Sequence, residues 1–242
     1  FETARGNAAG EENVLITVGA CQALFTALLG ILNPGEEIIV PTPGFGLYET
    51  IATIAGAKTV PLDVTKTGFQ ITEEALAEVM TEKTKAIVLN SPNNPTGVVY
   101  TPETVKTLCD LLREKSEEWG APIYLLADEP YRELVYEDVQ VPYIPKYYDD
   151  TIVCYSYSKS LSLPGERIGY IFVPPAAPMA KDVFAAICGA GRSMGYICAP
   201  SLLQKVIARC VTLRPDLESY DRNRKALYDG LTAVGYEVAK PD

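Results

Sequence analysis

The chain predicts an α/β protein, an open and mostly parallel sheet held between helices in a three-layer α/β/α sandwich. Three observations carry this expectation. Short β-branched and aliphatic runs alternate with longer stretches at helical spacing through most of the 242 residues. Two of those runs, Lys85 to Asn90 (KAIVLN) and Pro122 to Ala127 (PIYLLA), are apolar almost throughout, the pattern of strands covered on both faces. Gly, Pro, Asn and Ser cluster directly after the runs, where a strand hands over to a helix.

Taken in order, Asn13 to Val18 reads as a strand, and Gly19-Ala-Cys-Gln opens an apolar helix to about Leu32. Asn33-Pro-Gly stops that helix, and Glu37 to Val40 is the next strand. A Pro/Gly-rich loop, Pro41 to Tyr48, carries two aromatics before a helix reaching about Ala55. Lys58 to Leu62 is a short strand, and Thr72 caps an acidic helix to about Glu82. After KAIVLN and its turn, Thr101-Pro-Glu-Thr starts a helix to about Trp119. PIYLLA, then Thr151 to Tyr155, then Gly169 to Val173 complete the strands. Helices at about Ala180 to Gly189, Ala199 to Val211 and Pro215 to Val234 follow, the last with Leu217, Tyr220, Leu227 and Leu231 as its apolar stripe. A further strand is expected to begin after Tyr236.

Composition narrows the function. With 48% hydrophobic residues there is ample material for a core. A net charge of −10 and a pI near 4.7 argue against a general nucleic-acid binder. No apolar segment is long enough to span a bilayer and no charged-then-apolar leader opens the chain, so a soluble, cytoplasmic protein is the expectation. The six cysteines form no CxxC pair and there is no histidine, which argues against a zinc site and a disulfide framework; no metal is expected. Without histidine, Ser-His-Asp and Cys-His catalysis are excluded for this chain alone. The polar opening, Phe1 to Glu12, and the abrupt close at Tyr236 to Asp242 both look cut, so a piece of a longer polypeptide is expected.

The chemistry centres on Ser156 to Gly169, SYSKSLSLPGERIG. Lys159 stands just past a strand end among Ser156, Ser158 and Ser160, where a partly desolvated ammonium can lose its proton and attack a carbonyl. Arg167 offers a planar charge suited to phosphate. Together they suggest a ligand with both an aldehyde and a phosphate, which pyridoxal phosphate is; the alternative is a solvated loop lysine and an arginine paired with a surface carboxylate. Other strand ends add candidates. The turn at Gly19 presents helix N–H groups to an anion, or is simply a tight connection. Phe45 either stacks on a flat ring or plugs the core beneath its loop. Asn94, in Ser91-Pro-Asn-Asn-Pro-Thr-Gly97, either donates to a ligand oxygen or serves a chain reversal. Asp128, at the tip of an apolar strand, needs a cation or donor, such as a protonated pyridine nitrogen, unless it caps a helix or turn. Gly19, Phe45, Asn94, Asp128 and Lys159 each follow an expected strand, and in a parallel sheet such positions face one crevice.

Three motifs, in chain order Asn94-Pro-Thr-Gly97, Asp128-Glu-Pro-Tyr131 and SYSKSLSLPGERIG, resemble those of the class I/II pyridoxal-phosphate-dependent aminotransferases, the aspartate aminotransferase superfamily of fold type I. The resemblance covers essentially the whole chain as that family's large cofactor domain. It implies a mixed, mostly parallel sheet and places residues 1–234 in the cofactor domain, with its N-terminal segment missing, and 235–242 at the start of a truncated small domain. It implies pyridoxal 5'-phosphate as cofactor, held as a Schiff base on Lys159, which also moves the α-proton. By the same resemblance Asp128 pairs with the ring nitrogen, Asn94 and Tyr131 hydrogen-bond the 3′-oxygen, and Phe45 stacks on the ring. Ser156, Arg167 and the backbone at Gly19, Ala20 and Cys21 bind the phosphate. An anion beside the nitrogen keeps it protonated, and the protein orients what the cofactor makes reactive.

The implied activity is transfer of an amino group between an L-amino acid and a 2-oxo acid, by a homodimer acting in amino acid metabolism. The family's phosphate-reaching tyrosine from a neighbouring subunit and its carboxylate-binding arginine in a small domain have no counterpart in these 242 residues. Other expectations stand beside transamination. Carbon-sulfur β-lyases and aminocyclopropane-carboxylate synthases resemble the same motifs, and a non-catalytic sensor domain would share the fold. A cofactor-free Schiff-base aldolase would use Lys159 but leave Asp128, Arg167 and the Gly19 turn without a role.

Overall fold

A computed structural model describes residues 10–242; the expected polar opening at Phe1 to Glu12 therefore lies mostly outside the described residues. One sheet of seven strands organises them. The strands are β1 (Val14–Thr17), β2 (Glu37–Thr42), β3 (Lys58–Asp63), β4 (Thr84–Asn90), β5 (Tyr124–Asp128), β6 (Thr151–Ser156) and β7 (Gly169–Phe172), in the spatial order β1-β7-β6-β5-β4-β2-β3. Pairs β2/β3, β2/β4, β4/β5 and β5/β6 are parallel, whereas β7 runs antiparallel to both β6 and β1. Reversing one strand next to the edge leaves β1 pointing the same way as β2 through β6. This is the expected mixed, mostly parallel sheet.

Helices α1 (Gly19–Ile31), α2 (Leu47–Ile54), α3 (Glu73–Val79), α4 (Pro102–Trp119), α5 (Tyr157–Ser160), α6 (Ala180–Ser193), α7 (Ser201–Cys210) and α8 (Leu217–Ala233) complete the described elements, with 3-10 turns at Glu11–Asn13 and Ile144–Lys146. Local chemistry explains their starts. The Thr72 hydroxyl accepts from the Ala75 N–H at 3.3 Å and the Thr101 hydroxyl from the Thr104 N–H at 3.1 Å, each satisfying an orphan donor of a first turn. Pro102 is the first residue of α4, and Gly120, in the left-handed region with φ of 65°, closes it.

Strand side chains alternate between the faces, so each face has its own core. Ile87, Leu89, Leu125, Ala127 and Val153 pack with Leu76 of α3 and Val105, Leu108 and Leu112 of α4. Ala86, Val88, Leu126, Ile152 and Cys154 pack on the other side with Leu24 and Leu28 of α1, Ile51 of α2 and Ile187 of α6. By the same parity, Asn90, Asp128 and Ser156 belong to the α1/α2 face at the strand ends.

Three expectations need correction. The lysine segment is not an open loop, because Tyr157–Ser160 forms one helical turn with Ser156 as its N-cap. Helix α6 runs past Gly189 to Ser193, and its next glycine, Gly191, packs on α1, where a Cβ would lie 3.2 Å from Thr26. After Tyr236 no strand forms. The segment folds back, with Asp242 N–H donating to Gly97 O at 3.1 Å and Val99 N–H donating to the Asp242 carboxylate at 2.8 Å. Among the described residues no helix is long and apolar enough to cross a membrane, and no group of His, Cys, Asp or Glu is arranged to hold a metal ion.

Leu126 is fully buried in the middle of the sheet, whereas Leu227 on α8 is 66% exposed. Leu126→Ala is expected to destabilise the protein by roughly 2–5 kcal/mol, and Leu227→Ala to change it by less than about 0.5 kcal/mol, as read by urea unfolding.

Candidate functional site

The co-directional strands bring their C-terminal ends to one edge of the sheet. Thr17, Asn90, Asp128 and Ser156 are the last residues of β1, β4, β5 and β6. In the ladder Asn90 lies opposite Asp128, and both Ser156 and Thr17 lie opposite Gly169. Because β7 is reversed, its first residues reach the same edge, and Arg167 with them. A cavity of about 340 Å³ opens there. Ala20, Cys21, Phe45, Asn94, Asp128, Tyr131, Ser156, Lys159 and Arg167 all line it, joined by Asn90 and Ser158.

Gly19 sits behind this wall. It begins α1 with φ of +75°, and a Cβ there would lie 2.6 Å from the Arg167 guanidinium. Arginine and helix start are thus pressed together at one end of the cavity, a positive pairing made of a fixed cation and free backbone N–H groups. Arg167 itself has φ of 49°, and its guanidinium donates to Pro164 O at 2.8 Å, which holds the side chain back over its own turn. Ser156 presents its hydroxyl nearby, accepting from the Ser158 N–H at 3.1 Å and bonded to the Ser158 hydroxyl at 2.7 Å.

At the other end lies Asp128, 3% exposed. Its Oδ2 accepts from the Tyr48 hydroxyl at 2.6 Å, but its Oδ1 is buried with no hydrogen-bond partner. Burial pushes this carboxyl up to about 7; the Tyr48 bond opposes the rise and the neighbouring Glu129 charge adds to it. Tyr48, buried as well, is driven well above the ordinary phenol value, first by desolvation and then by Asp128, so it stays a donor. The Cys154 thiol beneath is pushed well up by burial and then by the Asp128 charge. It remains a neutral neighbour.

Asn94 and Tyr131 stand between these ends, and burial followed by the Asp128 charge raises the Tyr131 phenol above its ordinary value. The Lys159 ammonium lies 5.8 Å from the centre of the Tyr131 ring. Phe45 is 39% exposed and meets Tyr48 edge-on at 5.9 Å, so it walls the cavity rather than plugging the core. Asp128 ends a strand and caps no helix. The Asn94 segment does turn the chain, through Gly97 N–H to Asn93 O at 2.8 Å, and presents Asn94 to the cavity as well.

The residues fit a flat, cationic, phosphorylated aldehyde. Asp128 Oδ1 lacks the partner that a protonated ring nitrogen would supply, and the missing side chain at Gly19 lets the Arg167 guanidinium close on the helix start, where a phosphate would meet both. Tyr48 and Asn90 were not legible as site residues. Tyr48 reads as a loop aromatic but occupies the first turn of α2, and Asn90 reads only as the end of an apolar strand.

Residues 5–242 match the family model for aminotransferase class I and II. A probable N-acetyl-LL-diaminopimelate aminotransferase of Bacillus subtilis is 36% identical over 236 residues, covering 96% of this chain and 57% of that protein. A crystal structure of an amino transferase from Eubacterium rectale superposes with a TM-score of 0.96 at 46% identity, covering all of this chain and 61% of that one. An aspartate aminotransferase mutant from Thermus thermophilus gives 0.85 at 30% identity, covering all of this chain and 62% of that one. The chain spans about three fifths of the length of these relatives.

The Asp128 carboxyl binds its proton more tightly folded than unfolded, since its folded value of about 7 exceeds the ordinary 3.8. Its contribution is therefore fully present below about pH 4 and is lost as pH rises to about 7, a fall on the order of 4 kcal/mol in ligand-free protein. Asp128→Asn removes this fall, so its unfolding free energy relative to the parent should increase between pH 5 and pH 8. Tyr48→Phe removes the bond that holds the carboxyl down. Titration of the ¹³C-labelled Asp128 carboxyl by NMR should then place its midpoint above the parent's.

Proposed function

The chain belongs to the class I and II aminotransferases, and from that premise we propose that it is the cofactor-binding part of an enzyme that transfers an amino group between an L-amino acid and a 2-oxo acid. The observation that carries this reading is the buried, unpartnered Oδ1 of Asp128 in the same cavity as Lys159 and Arg167. Residues 1–234 are read as the pyridoxal phosphate domain and 235–242 as the start of a further domain, a division supported by the greater length of the relatives. A cytoplasmic homodimer is part of the same proposal.

Pyridoxal phosphate, when bound, supplies an electron-withdrawing ring that lets the α-proton of an amino acid leave. The chain's residues do the rest. Arg167, the Ser156 hydroxyl and the N–H groups of Gly19, Ala20 and Cys21 hold the phosphate. Asp128 accepts from the ring nitrogen and, once beside that cation, is stabilised as the carboxylate. Asn94 and Tyr131 donate to the 3′-oxygen, and Phe45 covers one face of the ring. Lys159 would hold the aldehyde end of the group, and its Nζ, as a free amine, would take the α-proton of the amino acid and hand it on. Binding a cation beside a carboxyl that otherwise titrates near 7 makes cofactor binding proton-linked: affinity should weaken as pH falls below that value.

Borohydride reduction of the protein with pyridoxal phosphate, followed by peptide mapping, should leave a pyridoxyl mass on Lys159. Lys159→Ala should lose the label and at least a thousandfold of the turnover, estimated on the order of general acid–base catalysis. Product analysis with an amino-acid panel, with and without 2-oxoglutarate, should show amino transfer; products formed equally well without the oxo acid would overturn the assignment.

A further inference from the structure

One side chain ties the Asp128 end of the cavity to the Asn94 turn at its middle. Asn90 and Asp128 are the last residues of adjacent parallel strands and lie opposite one another in the ladder. Asn90 is buried. Its Nδ2 donates to the Asp128 carbonyl at 2.9 Å, and its Oδ1 accepts from the Asn94 N–H at 2.7 Å. The amide therefore adds a side-chain rung just where the backbone ladder stops, and turns the following loop back over the strand ends. Asn94 and Tyr131, the latter three residues beyond Asp128, line the same cavity. The two bonds tie the Asn94 backbone to the Asp128 carbonyl across the strand ends.

The orientation of the Asn90 amide is determined by its two partners. A flipped Asn90 amide would place its NH₂ against the Asn94 N–H and its oxygen against the Asp128 carbonyl, two repulsive contacts where two bonds now stand. The Asn90 side chain is buried, so its bonds resist competition from water. We propose that Asn90 is a positioning residue that sets the distance and angle between Asp128 and the Asn94–Tyr131 pair, and so the placement of a flat heteroaromatic ligand that must meet both. The proposal rests on the pyridoxal phosphate reading of this cavity. On that reading, one side chain that need not react with the ligand aligns the acceptor for its nitrogen with the donors for its ring oxygen.

The test is a double-mutant cycle read in cofactor affinity, by titrating protein stripped of cofactor with pyridoxal phosphate and following protein fluorescence. Asn90→Ala should weaken binding roughly tenfold, the scale of one well-made hydrogen bond. Asn90→Ala in an Asn94→Ala background should cost little more than Asn94→Ala alone, because Asn90 acts through Asn94. The pH midpoint of the bound cofactor's visible absorbance should shift in the same direction in both single variants. If the losses instead multiply and the midpoint of Asn90→Ala equals the parent's, Asn90 only stabilises the fold and the proposal fails while the cofactor reading stands. If the parent binds no pyridoxal phosphate, both fall together. Should Asn90→Ala not fold by circular dichroism, Asn90→Ser carries the same cycle.

Discussion

The ladder that joins β2, β4, β5 and β6 in one direction is the constraint on which the site depends. Parallel pairing puts the end of each strand beside the end of the next, and the connection that follows each strand must then pass over the same rim. Asp128, Ser156 and Asn90 share that rim because of register rather than proximity in sequence. The one reversed neighbour strand, β7, adds what a parallel strand could not, a residue that arrives before its strand begins. Arg167 meets the start of α1 for that reason.

The cavity has an electrical polarity built from unlike materials. At one end, backbone N–H groups and a guanidinium concentrate positive charge with little loss of hydration. At the other, a carboxyl is held out of water with only Tyr48 to share one oxygen. A ligand with an anion at one end and a cation at the other relieves both, and a neutral ligand of the same shape would relieve neither. The chain thus keeps its most costly buried group in the place where a partner of opposite sign has to arrive.

Much of this was legible in the sequence, for a definite reason. The apolar runs before Asn94, Asp128 and Lys159 announce strand ends, and in a parallel sheet strand ends converge. What escaped reading depends on geometry across long separations. Tyr48 reaches Asp128 over 80 residues, and nothing in the Pro/Gly-rich stretch before it marks the first turn of α2. The helix expected to end near Gly189 continues to Ser193, and Gly191 within that added turn packs against Thr26 of α1. Tyr236 to Val238 alternates as a strand would, but alternation needs an available edge, and the segment instead bonds the turn at Gly97.

The contact between α1 and α6 ties the anion-facing end of α1 to a distant part of the molecule. A Cβ on Gly30 would lie 3.1 Å from the Ile187 backbone, and one on Gly191 3.2 Å from Thr26, so the two helices touch almost main chain to main chain. Helix α1 behaves as a rod clamped along its shaft. A bulkier residue at either glycine would push the rod outward, and because its far tip carries Gly19, Ala20 and Cys21, the displacement would be felt at Arg167, about two to three helical turns from the wedge.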